Sequence, residues 1–469
     1  MKDPPAKSEG SAIDDNSIDE SAIDERHGAA EEYTLCYQRP NPTSYPNLAP
    51  DLPPIGGKIR TTPEDFHVVE IPLYHFSGEG EHCYVTVEKT NRTTLQVRDF
   101  LGMRLGLRGE EIGFAGFKDR RAVAQQTFSF PRDYAGRLQE VETEWLKVID
   151  VTYHKNKIRT GHLSGNRFSI RLRDLQPGAL EIARQHIDRL QEGIPNFYGP
   201  QRFGPFNDGH LIGSALLHRN PREAMDIMLG PKEGIEQEFR DLYVRGKYLE
   251  ALKVLPRGRT CEAAVLHTLH RFPNNFRAAA RRIPRQLKRM FFSAYQSFLF
   301  NWCLRERMEW GANAFARPVE GDLAYLHPKG NWFIVEDVAE ARERAAQEKL
   351  SPSGPMFGRK MPCPTGREHA LECAVLNAEK MRPQSFLSHV KGLHLKGTRR
   401  PYRIPALDVE LSEEDQGRTL VLGFTLPPGS YATILLEQLM GAGQTRYQPE
   451  ENGSGEAKES TDVTGPHPL

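Results

Sequence analysis

Gly116-Phe117-Lys118-Asp119-Arg120-Arg121-Ala122-Val123-Ala124-Gln125 sets one carboxylate, Asp119, among three cations. Just before it, Ile112-Gly113-Phe114-Ala115 is a short apolar run that reads as a buried strand, so Asp119 falls on the loop beyond. Cations in such a loop suit a phosphodiester backbone. A carboxylate in an anion-attracting loop is a starting point for chemistry on a nucleotide, acting as base or as nucleophile.

The surrounding pattern predicts both strands and helices. His82 to Glu88 is enriched in β-branched residues and reads as a strand. Val97, Phe100, Leu101 and Leu105 share one helical face, closed by Gly106. Phe168, Ile170 and Leu172 alternate with Ser169, Arg171 and Arg173, giving a strand with one apolar and one basic face. Leu180, Ala183, Ile187 and Leu190 have helical spacing, ended by Gly193 and Pro195. Near the C-terminus, Thr419 to Phe424 reads as a buried strand and Leu426-Pro427-Pro428-Gly429 as a turn. Ser430 then reads as the N-cap of an apolar helix, Ala432 to Met440.

Between about His210 and Gly397 the composition shifts toward helices and long loops. The segment Arg277–Arg289 is strongly cationic and runs into an aromatic helix, Phe291 to Trp302, whose rings read mainly as core. Gly354, Gly358 and Gly366, with prolines at 352, 355, 362 and 364, mark a long irregular loop.

The formal net charge of zero over 469 residues conceals an asymmetry. Residues 1–35 hold ten acids and three bases, and residues 450–469 hold five acids and one base, so residues 36–449 carry net +11. A basic body fits a polyanionic partner. The acidic repeats of residues 1–32 have too little apolar surface to offset ordering entropy and read as disordered. A proline-rich linker, Pro40 to Pro54, follows, with ordered structure expected near Lys58 and a second acidic tail from about Gly443. Six scattered cysteines, none in C-x-x-C spacing, point to neither a disulfide framework nor a zinc site. His267 and His270 lack a matching partner, so no metal is expected. No apolar run reaches the roughly 20 residues needed to span a bilayer, and no signal peptide is evident. A cytoplasmic monomer with no membrane or cofactor requirement is expected.

Several turn-like segments combine polar groups with aromatics. They are Pro63-Glu64-Asp65-Phe66, Gly116 to Ala122, the basic Lys155–Phe168 segment and Pro195-Asn196-Phe197-Tyr198-Gly199-Pro200-Gln201-Arg202-Phe203-Gly204. Gly330-Asn331-Trp332-Phe333 and Leu426-Pro427-Pro428-Gly429-Ser430-Tyr431-Ala432-Thr433 complete the set. Aromatics interleaved with Arg, Asn and Gln suit stacking on a base while bonding its edge. Taken together and in this order, they resemble the TruD family of tRNA pseudouridine synthases, over roughly residues 55–442.

The resemblance implies an α+β fold: a discontinuous pseudouridine synthase catalytic domain, 51–209 and 398–442, with a largely antiparallel mixed sheet. It implies an inserted TruD-specific α/β domain at 210–397, flanked by tails at 1–50 and 443–469. It also implies isomerisation of a uridine in tRNA, at position 13 in bacterial members. Asp119 matches the family's catalytic aspartate, and Phe66, Asn196 and Tyr431 match residues around the target base. Tyr431 stands where some members have Phe, and Arg60 where several have Lys. Arg60, Lys118, Arg120, Tyr198 and Arg202 are expected as RNA or supporting contacts. A tRNA-binding folding chaperone on the same scaffold is the alternative reading.

Overall fold

The computed structural model describes residues 33–190, 192–234, 237–327, 330–386, 395–405, 409–441 and 443. The acidic segments 1–32 and 444–469, expected to be disordered, lie outside them. The chain divides into two compact units: Asn41–Asn301 with Tyr402–Leu469, and Met1–Pro40 with Trp302–Pro401. The division falls inside one long helix, Arg285–Met308.

The larger unit is built on an eight-stranded mixed sheet. Its first six strands are β1 (Phe66–Pro72), β2 (His82–Thr90), β3 (Gly113–Phe114), β4 (Val123–Pro131), β5 (Leu146–His154) and β6 (Leu163–Leu172). From one edge the order is Glu410–Glu414, Thr419–Leu426, β6, β1, β4, β2, β5, with β3 paired to β4. Only the β1–β4 pair among these is parallel. The fold is therefore α+β with a largely antiparallel sheet, as expected.

Helix α1 (Thr94–Leu105) covers the β2–β4 part of the sheet. Thr93 and Gln96 form a capping box at its start, and Gly106, at φ 76°, ends it in the left-handed conformation that glycine adopts most readily. Val97, Leu101 and Leu105 pack with Val85, Val87, Phe128 and Phe130 in a core that the alternation of β2 and β4 supplies. Helix α2 (Ala179–Arg189) buries Ala183, again on the face the spacing indicated. The helices from Gly209 to Arg281 enclose a core of their own, which includes Met225, Phe239, Leu266 and Ile283. Phe292, Tyr295, Phe298 and Phe300 are buried, consistent with the core reading of the aromatic helix.

Three expectations need correction. The proline-rich linker is irregular but firmly attached within the larger unit. Tyr45 donates its hydroxyl to the Tyr198 carbonyl (3.0 Å), Leu48 N–H bonds Gln438 Oε1 (2.9 Å), and Ile55 N–H bonds the Leu439 carbonyl (2.9 Å). Ordered structure thus begins well before Lys58. Second, Tyr431, not Ser430, is the N-cap of the Ala432–Met440 helix, because the Leu426–Gly429 turn runs one residue further.

Third, the Gly- and Pro-rich stretch of the smaller unit contains a wholly buried strand, Leu350–Met356, between Leu323–Leu326 and Thr398–Pro401. It lacks β-branched residues, so sequence pattern did not signal it. Side chains complete its hydrogen bonding: Ser353 Oγ donates to the Leu323 carbonyl (2.5 Å), and Arg399 donates to Ser353. In the same unit Arg307 is fully enclosed between Asp322 and Glu368, both 2.7 Å from its Nη1. Arg399 likewise meets Glu372 at 2.6 Å. Burial holds the Glu372 carboxyl above its usual range, against the opposing pull of Arg399.

Candidate active site

Asp119 lies on the β3–β4 loop, and that loop is held from behind through its backbone. Gln126 Nε2 donates to the Gly116 carbonyl (2.5 Å), and the Lys118 N–H donates to Thr94 Oγ1 (2.8 Å). Thr94 in turn donates to Gln126 Oε1 (3.0 Å), so the two residues act as one clamp. Lys89 Nζ donates to the Asp119 carbonyl (2.8 Å) and to the Arg92 carbonyl (2.5 Å). Thr94, Gln126 and Lys89 are all buried. Burial pushes the Lys89 ammonium down to about 8, partly offset by the negative charge of Asp119. With its main chain fixed, Asp119 keeps a half-exposed carboxylate facing a cleft.

The floor of the cleft follows from strand register. Val68 of β1 opposes Phe168 of β6, which opposes Phe424, and Phe66 opposes Ile170. Period-two alternation puts these side chains on one face, with Glu70 and Asn166 next in the same rows. Phe66 meets Phe168 edge-on at 6.0 Å, and Phe168 stacks on Phe424 at 5.2 Å. Lys118 Nζ plugs the polar end of this face, 2.8 Å from Glu70 Oε2 and 2.5 Å from Asn166 Oδ1. Adjacent residues of one loop therefore point to different tasks: Lys118 anchors into the sheet and Asp119 stays in the cleft.

Arg60 closes one side. Its guanidinium lies 4.2 Å above the Phe66 ring centroid and donates to Asp119 Oδ2 at 2.5 Å. Its backbone has φ 57°, an uncommon region for arginine that aims the side chain back over the strand following it. The opposite wall is the start of the Ala432–Met440 helix, with Ser430, Tyr431, Ala432 and Thr433, together with Gln201. No side chain caps that helix, and Thr433 Oγ1 is buried without a hydrogen-bond partner. Gly199 makes this wall possible: a Cβ there would come within 2.9 Å of the Tyr431 ring and 3.0 Å of Thr433 Oγ1. The cavity volume of the cleft is about 180 Å³, and its space continues into open solvent.

Of the residues singled out from sequence, Asp119, Phe66, Tyr431, Arg60 and Lys118 meet in this cleft. Asn196, Tyr198 and Arg202 stand behind the wall. Asn196 is buried, with its N–H on the Tyr402 carbonyl (2.8 Å). Tyr198 packs edge-on to Tyr431 at 5.9 Å, and its N–H bonds Asn301 Oδ1 (2.8 Å). Arg202 Nε donates to Ser297 Oγ (2.9 Å), a second bond reaches Ser293, and its guanidinium lies 5.2 Å from the Tyr198 ring. The Arg120 side chain is exposed.

Sequence reasoning missed Lys89, Thr94, Gln126, Glu70, Asn166, Gln201 and Thr433. A signal existed for Lys89, which follows Val85 and Val87 at inward positions of a strand. A lysine in an apolar register has to find partners.

The family model described as tRNA pseudouridine synthase D (TruD) matches residues 45–439. The tRNA pseudouridine synthase D of Geobacter sulfurreducens is 38% identical over 398 residues, covering 84% of this chain and 96% of the relative. That of a Thermus thermophilus strain is 38% identical over 401 residues, covering 85% and 93%. A crystal structure of the Methanosarcina mazei protein assigned as tRNA pseudouridine synthase D aligns with TM-score 0.71 at 27% identity, over 85% of this chain and 96% of that one. Sequence and architecture agree, and the chain belongs to the tRNA pseudouridine synthase D (TruD) family.

Proposed function

We propose that this chain, a tRNA pseudouridine synthase of the TruD family, uses Asp119 to isomerise uridine 13 of tRNA. The observation that carries the assignment is the division of labour at Asp119. Its backbone is pinned by Lys89 while its carboxylate is left in the cleft, the one acid among the lining residues.

The target uridine has to leave its stack to reach the cleft, at a cost of about a few kcal/mol. Tyr431 offers aromatic surface to the base, and Phe66, buried beneath the Arg60 guanidinium, forms part of the floor. Gln201 and the unpartnered Thr433 hydroxyl offer hydrogen bonds to its polar edge. Asn196 acts from behind the wall by holding the loop that carries Gln201.

The Asp119 carboxylate serves the sugar centre in one of two ways: as nucleophile at C1′, or as the base that releases a glycal. On either route the C1′–N1 bond breaks with its electron pair going to uracil, the ring turns, and C5 bonds C1′. The C5 proton departs and N1 gains one, so the product is an isomer of the substrate and nothing is oxidised or reduced. Arg60, bonded to Asp119, keeps the carboxylate aligned until the sugar arrives. We further propose that residues 210–397 form the insertion that distinguishes this family's architecture.

Asp119→Asn tests the assignment. It is expected to cut pseudouridine formation on purified tRNA by at least about a thousandfold, with tRNA affinity within about twofold of wild type, since phosphate contacts are separate from the reacting carboxylate. Full conversion by the variant would sink the mechanism. Mapping pseudouridine in RNA from cells with and without the gene fixes the position, and a site other than 13 disappearing would overturn that part. Binding without any conversion by wild type would favour the chaperone reading.

A further inference from the structure

Between Glu262 and Glu306 the sequence holds no aspartate or glutamate, although the chain's average of 62 acids in 469 residues would place about six there. Eight lysines and arginines occupy the same stretch. Six of them, Arg271, Arg277, Arg281, Arg282, Arg285 and Arg289, have exposed side chains. Among the described residues no carboxylate pairs with Arg277, Arg281, Arg282 or Arg289. Arg277, Arg281, Arg282 and Arg289 thus form, among the described residues, a run of exposed cations without carboxylate partners.

Local electrostatics makes this more telling. Arg285 opens the long Arg285–Met308 helix, Arg289 follows one turn later, and the first turn contains no acid. The helix macrodipole disfavours cations at that end. A sequence that sets arginines against the local field, where acids would stabilise the helix, points to an anion supplied from outside.

The run also has a direction. Arg289, Ser293 and Ser297 are spaced four apart on one helix face. Ser293 and Ser297 receive the Arg202 guanidinium, and Arg202 directly follows Gln201, which lines the cleft. At 1.5 Å per residue, Arg289 is about 6 Å further along the helix from Ser293, and Arg285 about 6 Å beyond that. Arg289 and Arg285 therefore continue outward along this helix from the side that holds Arg202, and Arg281 and Arg282 stand at the end of the preceding helix, Phe276–Arg281.

We propose that Arg281, Arg282, Arg285 and Arg289 form a phosphate-binding track for the tRNA backbone leading away from the cleft-bound uridine. This rests on the reading of the cleft as a uridine site. The track supplies affinity and register, not chemistry. The competing description is a merely solvated basic surface, and the two differ in how specifically each charge counts.

The test uses the full chain and unmodified tRNA transcript. A triple variant, Arg281→Gln, Arg285→Gln, Arg289→Gln, is compared with an equal charge loss on exposed residues off the track, Arg245→Gln, Lys253→Gln, Arg257→Gln. The track triple is expected to raise Kd and KM for tRNA at least tenfold near 0.15 M salt. It should also lower the slope of log Kd against log salt by about two to three, with the loss in KM and not in kcat. Arg-to-Lys changes at the same three positions should restore most of the affinity. Thermal melts of each variant show whether the fold is kept. Unchanged Kd and slope, or equal losses from both triples, would overturn the track. If wild type converts no uridine the cleft reading fails instead, and tRNA affinities still decide the track.

Discussion

The chain contains two kinds of arginine–carboxylate pair, and they are built in opposite ways. In the smaller unit Arg307 uses all five of its donors: Nη1 on Asp322 and Glu368, Nη2 on Asp322 and the Arg317 carbonyl, and Nε on the Ala314 carbonyl. Nothing is left over, and every group is enclosed. At the cleft, Arg60 makes one bond to Asp119, its Nε is buried without a partner, and Asp119 is half exposed. A charge used as structure has its hydrogen bonds saturated by the protein. Asp119, to which we assign the chemistry as a proposal, is held by its main chain and leaves its side chain open to the cleft.

Four changes at three positions probe that contrast. Arg307→Ala strands two buried carboxylates and is expected to cost about 3–5 kcal/mol, read as a shift in the urea midpoint of the full chain. A loss below about 1 kcal/mol would erase the distinction. Lys89→Met removes the support under Asp119 and is expected to lower kcat about a hundredfold, roughly 2.7 kcal/mol, with the fold kept.

Lys89 also carries a pH signature. Its folded pKa lies at about 8, against an ordinary value of 10.5. Between these values the unfolded chain binds the extra proton, so this group makes the fold more stable as pH rises, while the loop loses its ammonium. Activity should therefore fall above about pH 8 without a parallel loss of stability, and Lys89→Arg should remove that alkaline limb. A limb unaffected by Lys89→Arg would assign it elsewhere. The smallest effect is expected from Arg60→Lys, about fivefold in kcat/KM, because charge survives and the stacked, bonded guanidinium does not. A loss as large as that of Lys89→Met would show that Arg60 is as indispensable as the support beneath the loop.

Much of this was legible in the sequence, for reasons that can be named. The sheet strands around the cleft announce themselves by alternation, as Phe168 to Leu172 does, and α1 by its apolar spacing and terminal glycine. Asp119, Phe66 and Tyr431 were found because their motifs sit in turns between such elements. Glu70 and Asn166 were not, since their partnership with Lys118 depends on cross-strand register, which one sequence does not reveal. The Leu350–Met356 strand was missed because side chains remote in sequence, above all Arg399, complete its bonding. The proline-rich strap was missed because proline content says nothing about what the backbone carbonyls of Pro46 and Pro53 will accept: Gln438 and His186, respectively.

That strap also governs when the cleft can exist. Leu48 and Gln438, which it brings together, are 390 positions apart, and the helix bearing Gln438 starts at the cleft wall with Thr433. At about 5–20 residues per second of synthesis, the first partner waits on the order of 20–80 s for the second. The growing chain can assemble β1 to β6, with Asp119 already on its loop, and still lack a wall for the base. The cleft wall is thus completed only once the segment that carries Tyr431 and Thr433 has been made.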